Sequence, residues 1–307
     1  MDRRDFLKQV AAFTAASAAI PLLDITPALA QAAPAAPPST LVVGKGKDYP
    51  ALTRSVLEKL GGMNAFVKKG DKVVIKPNIG WARPVELAAN THPEVVTALV
   101  RLALDAGAGK VMVFDVSCDD ARMCYTKSGI RDAVEAIKDD RVSCPYVDQR
   151  MFMPVKIASG KAVQQWDHIV RDAIDADCYI NVPVAKTHGL TKLTLGFKNI
   201  MGICGGNRGA IHQRIADKLV DLHMLVKQKL VVIDATRILT AHGPNGGTLE
   251  NVKTLDTIIA STDPVAADAY ATTLFGMKPT DLQTTVVAHQ RGLGEIDLAK
   301  VNVIEVA

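Results

Sequence analysis

The feature that most restricts the fold is a series of short, almost uninterrupted apolar runs rich in β-branched residues, spaced by helical patterns. Lys72-Val-Val-Ile-Lys76 ends at Pro77, and Lys110-Val-Met-Val-Phe-Asp115 follows. Cys178 to Val184, Leu230-Val-Val-Ile-Asp234 and Thr257-Ile-Ile-Ala260 complete the set. A strand that is apolar at nearly every position has no solvent face, so both sides of its sheet must be covered. Helix signals lie between the runs. The segment Pro93 to Ala106 has Thr91 as its cap, Pro93 in its first turn, Glu94 at its positive end and Gly107 at its close. Residues 128–138 read as helical, and Ile211 to Val226 puts Ile215, Leu219, Leu222 and Val226 on one face. Asp263-Pro264 opens a helix through about Phe275, and Val301 to Val306 reads as a last, edge strand. The pattern predicts an α/β fold: one large domain built on a mostly parallel sheet with helices on both faces.

Such sheets hold ligands beyond the carboxyl ends of their strands. The residues there are Lys76-Pro77-Asn78, Asp115 and Ser117, Lys186-Thr187-His188, Asp234 and Thr236, and Ser261-Thr262-Asp263. Polar loops at strand ends account for part of this pattern. Lys76 and Asn78 nevertheless follow a buried strand directly, and Lys186, His188, Lys198 and Asn199 lie within fourteen residues of one another. Two lysines so placed repel unless an anion or a carboxylate lies between them. Phosphate, carboxylate or a cofactor bearing such groups fits, with His188 moving a proton and Lys186 holding the anion. The alternative is a solvated basic loop. The segment Met201-Gly-Ile-Cys-Gly-Gly-Asn-Arg-Gly209 precedes the helix carrying His212. Its backbone N–H groups and Arg208 suit an oxyanion, and neighbouring cations would make Cys204 a nucleophile or soft metal ligand. A plain glycine turn with an idle thiol is the competing reading. Lys76, Asn78, Lys198, Asn199 and Arg208 are thus the candidate ligand-holding residues, and His188, Lys186 and Cys204 the candidate catalytic ones. No metal-ligand set is assigned. His223 reads as a core residue, His92 as part of a cap and His289 as surface. Asp263 caps its helix, whereas Asp268, set among alanines, needs a partner and is matched here to one of the lysines.

The net charge of +4 is carried entirely by residues 31–307, because residues 1–30 contain three basic and three acidic side chains. That mild excess argues against nucleic acid as a partner. The five cysteines, at 118, 124, 144, 178 and 204, show no Cys-x-x-Cys spacing, which gives neither a ferredoxin-type cluster nor a zinc ribbon. Scattered buried thiols are the favoured reading, with a Cys118–Cys124 disulfide as the alternative. The first residues run Asp2-Arg-Arg-Asp-Phe-Leu-Lys8, followed by an apolar stretch from Val10 to Leu23 and by Ala28-Leu29-Ala30. This order reads as a twin-arginine signal peptide over 1–30, then an Ala/Pro-rich spacer over 31–40 and the α/β body over 41–307. The expected partner is the twin-arginine translocase and the expected destination the periplasm. Membrane attachment would come only through an uncleaved signal, since the apolar stretch is too short to span.

Val74-Ile-Lys-Pro-Asn78, Lys186-Thr-His188, Gly196-Phe-Lys-Asn199 with Met201-Gly202, and Ser261-Thr-Asp-Pro-Val-Ala-Ala-Asp268 together resemble the domain-of-unknown-function 362 family, DUF362. Many members of that family are linked with iron–sulfur clusters through an added ferredoxin-like segment. This sequence has no such segment, so that implication does not transfer. A remoter likeness, at the level of an α/β scaffold with Lys and His at its cleft, is to the lactate racemase family with its nickel pincer nucleotide. The expectation is therefore an exported protein whose Lys/His/Asn cleft binds an anionic small molecule or a cofactor of unknown identity. An enzyme, including a redox-related one, is one form of it. A non-catalytic cofactor or metal carrier and a scaffold subunit are the others.

Overall fold

The alternation of side chains along the central strands decides the architecture. In the computed structural model, which describes residues 39–307, Val73 and Ile75 point into one apolar layer and Val74 into the opposite one. Leu230 and Val232 face the first layer, whereas Val231 and Ile233 face a third cluster on the far side. Both faces are dry, which is why these strands are apolar throughout.

The strands are β1 (Thr40–Lys45), β2 (Lys72–Pro77), β3 (Lys110–Val113), β4 (Val142–Ser143), β5 (Phe152–Lys156), β6 (Gln165–Val170), β7 (Cys178–Val182), β8 (Val184–His188), β9 (Lys192–Thr194), β10 (Gln228–Leu239), β11 (Val252–Ser261) and β12 (Asn302–Val306). The helices are α1 (Tyr49–Glu58), α2 (Pro93–Asp105), α3 (Ala121–Lys127), α4 (Ile130–Glu135), α5 (Arg171–Asp175), α6 (Gly196–Asn199), α7 (Ile215–His223), α8 (Pro264–Thr273) and α9 (Gln283–Gln290). Ten strands form one sheet in the order β12-β1-β11-β10-β7-β2-β3-β4, with β8 branching from β10 and β9 from β8. Pairing is parallel from β10 through β7, β2 and β3 to β4, between β10 and β8, and between β1 and β12. β11 runs antiparallel to both its neighbours, and β9 to β8. β5 and β6 form a separate antiparallel ribbon. The fold is α/β, with a mostly parallel sheet covered on both faces.

Several local expectations change. The signal segment 1–30 and most of the 31–40 spacer lie outside the described residues, and Thr40 already belongs to β1. The cap of α2 is His92, whose Nδ1 accepts the Glu94 N–H. Thr91 is buried instead: its hydroxyl donates to the Val182 carbonyl at 2.7 Å and accepts the Asn78 N–H at 2.8 Å. The strand drawn through Val184 breaks at Pro183, which has no N–H for the ladder, and a new strand, β8, begins beyond it. The long helix drawn over 211–226 is a 3-10 turn followed by the shorter α7. Asp263 does cap α8, accepting the N–H groups of Val265 and Ala266. All five cysteines are unpaired, with Cys118 exposed and the other four buried. Among the described residues no helix is long and apolar enough to cross a membrane.

Candidate functional site

The carboxyl ends of β2, β3 and β8 open into a cleft of 420 Å³, closed by α6 and by the loops around Trp81 and Arg208. Lys76 and Asn181 are register partners on β2 and β7, and both project toward α6. α6 is held by a carboxylate from another helix. Asp268 Oδ1 and Oδ2 accept the Gly196 and Phe197 N–H groups at 2.7 and 3.0 Å. That correction gives Asp268 backbone amides as partners in place of a lysine. Burial raises its carboxyl to about 7, against the pull of those two bonds. Asn199, at the end of α6, donates through Nδ2 to the Lys76 carbonyl and to Asn181 Oδ1. Its Oδ1 accepts from Lys76 Nζ at 2.8 Å and from Asn78 Nδ2 at 3.3 Å.

The two deepest lysines are equally buried, each 1% exposed, but are held differently. Lys76 Nζ donates to Asn199 Oδ1 and the Pro77 carbonyl and forms an ion pair with Asp115 Oδ1 at 2.8 Å. Burial lowers its pKa, and Asp115 opposes that effect. Asp115 is fixed in turn by the Ile79 N–H, 2.6 Å from Oδ2. Gly202 passes so close that a Cβ there would fall 1.7 Å from Asp115 Oδ1 and 2.3 Å from Lys76 Nζ. Lys186 Nζ has two acceptors, Asn78 Oδ1 at 3.1 Å and the Ala89 carbonyl, and no carboxylate among the described residues. Burial, with Lys198 and Lys76 adding repulsion, brings its pKa down to about 7. The loop carrying Ala89 and Trp81 is anchored by a buried ion pair. Asp234 and Arg237 lie 2.5 Å apart, and Arg237 also donates to the Val85 and Asn90 carbonyls.

Lys198 lines the cleft with the Met201 thioether as its hydrogen-bond acceptor, and burial draws its pKa down to about 8. Arg208 forks onto the Val116 and Ser117 carbonyls at 2.7 and 2.6 Å, so the guanidinium organises the loop after β3 while still facing the cleft. His188 is also on the wall, but burial and the adjacent lysines push its pKa to about 3. Its Nδ1 accepts the Leu190 N–H, which places the proton of the neutral ring on Nε2. His188 is therefore a neutral donor near pH 7, which corrects its expected role as the group that titrates there.

Cys204 is a second correction. It is fully buried among Ile200, Ile203 and Ile211, away from the cleft wall, and burial pushes its thiol up to about 12. The thiol on the wall is Cys118, 3.7 Å from an Arg208 nitrogen. Sequence reasoning also passed over Trp81 and Thr194; Asp115 was visible only as one polar strand end among several. His223 packs its ring on Phe197 in the core. Among the described residues no three His, Cys, Asp or Glu side chains converge where they could share a metal ion.

The stretch that builds this cleft coincides with a known family: the model for DUF362, domain of unknown function, matches residues 73–273. The chain belongs to the DUF362 family. A thylakoid-associated protein of Synechocystis sp. is 28% identical to this DUF362 chain over 251 residues, covering 79% of this chain and 75% of that protein. Among solved structures, a protein from Thermotoga maritima superposes with a TM-score of 0.43 at 13% identity over 76% of this chain. The lactate racemase apoprotein from Thermoanaerobacterium thermosaccharolyticum gives 0.49 at 10% identity, again over 76%. The DUF362 chain spans 60% and 56% of the lengths of those two structures, which are likenesses of fold alone.

Proposed function

We propose that this DUF362 chain binds a small oxyanion, a carboxylate or phosphate compound, in the β2–β3–β8 cleft and acts on it by proton transfer. The charge balance of the cleft carries the reading. Four cationic side chains, Lys76, Lys186, Lys198 and Arg208, line it against one carboxylate, Asp115. Asp115 is already joined to Lys76, which leaves three cations without a carboxylate among the described residues. Burying unpaired charge is costly, and an anion seated between these groups removes the cost. Thr194 adds a buried hydroxyl with no hydrogen-bond partner on the same wall. Lys186, with its pKa near 7, exists as both amine and ammonium at neutral pH, as a general acid–base group must. His188 offers a neutral N–H to an oxygen of the ligand.

Export through the twin-arginine translocase to the periplasm belongs to the same proposal and rests on the Arg3-Arg4 pattern. The test of the cleft is native mass spectrometry of protein from its own host, followed by melting with phosphate, pyrophosphate and oxalate. A retained anion, or stabilisation by one of these that Lys198→Met abolishes, supports the reading. A ligand-free protein whose melting none of the three shifts would refute it.

A further inference from the structure

The difference between Lys76 and Lys186 goes beyond anion binding. Lys76 donates to Asn199 Oδ1 and the Pro77 carbonyl and stands 2.8 Å from the Asp115 carboxylate, whose charge holds its third proton. It is a locked cation. Lys186 meets only Asn78 Oδ1 and the Ala89 carbonyl, and both of these groups can only accept. A neutral amine has two N–H donors and one lone pair. Two acceptors satisfy the two donors, so the lone pair cannot point at either and must occupy a remaining tetrahedral position. Lys186 borders the cleft, with the Trp81 ring centroid 6.0 Å from Nζ. No carboxylate among the described residues stands at that open position to hold a third proton.

We infer that Lys186 is a nucleophile whose amine adds to the carbonyl carbon of a small 2-oxo acid bound in the cleft, forming an imine. The inference rests on the anion reading, because Lys198 and Arg208 supply the charge that holds the carboxylate of such a substrate. In the step, the nitrogen lone pair forms the C–N bond and the carbonyl oxygen becomes a hydroxyl. That oxygen then leaves as water with the two amine hydrogens, and a C=N bond remains. A proton taken up from solvent converts the imine to an iminium, whose single N–H restores one of the bonds to Asn78 or Ala89. The neutral form needed for attack is available near pH 7, since burial has brought this amine to about 7. An ordinary lysine at that pH is neutral in only about one molecule in a thousand or fewer. The imine gives an electron sink next to the carbon that loses or gains a proton, as in other lysine-based covalent catalysis.

The test uses the intact protein with glyoxylate as the electrophile, cyanoborohydride to trap the imine, and oxalate as a competitor with no electrophilic carbonyl. Peptide mass mapping reads the modified site, and calorimetry reads oxalate binding independently. The expected result is labelling of Lys186 about a hundredfold faster than of surface lysines, slowed by oxalate. Lys186→Arg, if folded by circular dichroism, keeps the charge and loses the label. Should that variant fail to fold, the map of the native protein decides alone. Oxalate binding with labels spread over surface lysines and Lys186 unmodified overturns the imine and leaves the anion site standing. Neither oxalate binding nor a Lys186 label removes both.

Discussion

Replacing Asp115 by Asn tests whether the Lys76–Asp115 pair is the cleft's fixed foundation. The substitution preserves shape and leaves an oxygen for the Ile79 N–H, which now sits 2.6 Å from Oδ2. It sets a neutral amide against Lys76 Nζ, which is now 2.8 Å from a carboxylate, with the two side chains 1% and 3% exposed. Breaking one partner of a buried pair costs about 3–5 kcal/mol, because the other charge stays buried and uncompensated. Lys76 relieves part of this by releasing its proton, and burial already lowers its pKa. The expected loss is therefore about 3 kcal/mol, toward the lower end of that range. At roughly 2–4 °C per kcal/mol for a chain of this size, the melting temperature falls by about 6–12 °C. The sign of the pH effect follows from the same lysine. Its folded pKa lies below its unfolded one, so between the two the unfolded state binds more protons and stability rises with pH. The deficit of the variant accordingly shrinks toward alkaline pH. Denaturant unfolding of the wild type, Asp115→Asn, Lys76→Met and the double variant forms the cycle, and the double variant should be more stable than the sum of the singles predicts by about 2 kcal/mol. A single-variant cost under about 1 kcal/mol, or strict additivity, would refute the reasoning.

Three further outcomes follow from the same geometry. Gly202→Ala drives a Cβ into the pair, so it should cost at least as much as Asp115→Asn, and denaturant curves of the combined variant should show little further loss. Thiol-reagent labelling of the native protein should modify exposed Cys118 quickly and buried Cys204 only on unfolding; rapid native labelling of Cys204 would contradict its placement. Changing Arg3 and Arg4 to Lys should leave the unprocessed chain in the cytoplasm on fractionation and immunoblotting, whereas undiminished export would remove the twin-arginine reading.

The sheet could be read from sequence because strands buried on both faces leave almost no polar positions, and Val73-Val74-Ile75 shows this directly. Direction is not carried by such runs. Thr257-Ile-Ile-Ala260 reads the same whether β11 runs parallel or antiparallel, and it runs antiparallel. The β5–β6 ribbon was missed because it is half-exposed and its alternation is irregular. Lys76, Asn78, Lys186, His188, Lys198 and Asn199 could be collected from strand ends, and all six line or support one cleft. Their individual roles could not. What separates Lys76 from Lys186 is a carboxylate partner, and the groups that meet each lysine come from residues distant in the chain, Asp115 and Asn199 for one and Ala89 for the other. Cys204 lies in the glycine-rich segment that suggested an oxyanion site, and Arg208 and Lys76 do pull its thiol down, but burial among apolar side chains outweighs them. The loop after β3 brings Cys118 to the wall instead.

The central claim is that cations without carboxylate partners make this cleft an anion site, and calorimetric titration with oxalate and pyrophosphate across pH tests it most directly. Lys186 and Lys198, at about 7 and about 8, lose their protons as pH rises. His188, held at about 3 by burial and the adjacent lysines, contributes no change across this range. Affinity should therefore weaken about tenfold or more from about pH 6.5 to pH 9, and Lys198→Met should weaken it by a similar factor at the lower pH, as loss of a charged hydrogen bond requires. Absence of binding at every pH, or binding indifferent to both pH and Lys198→Met, would contradict the account.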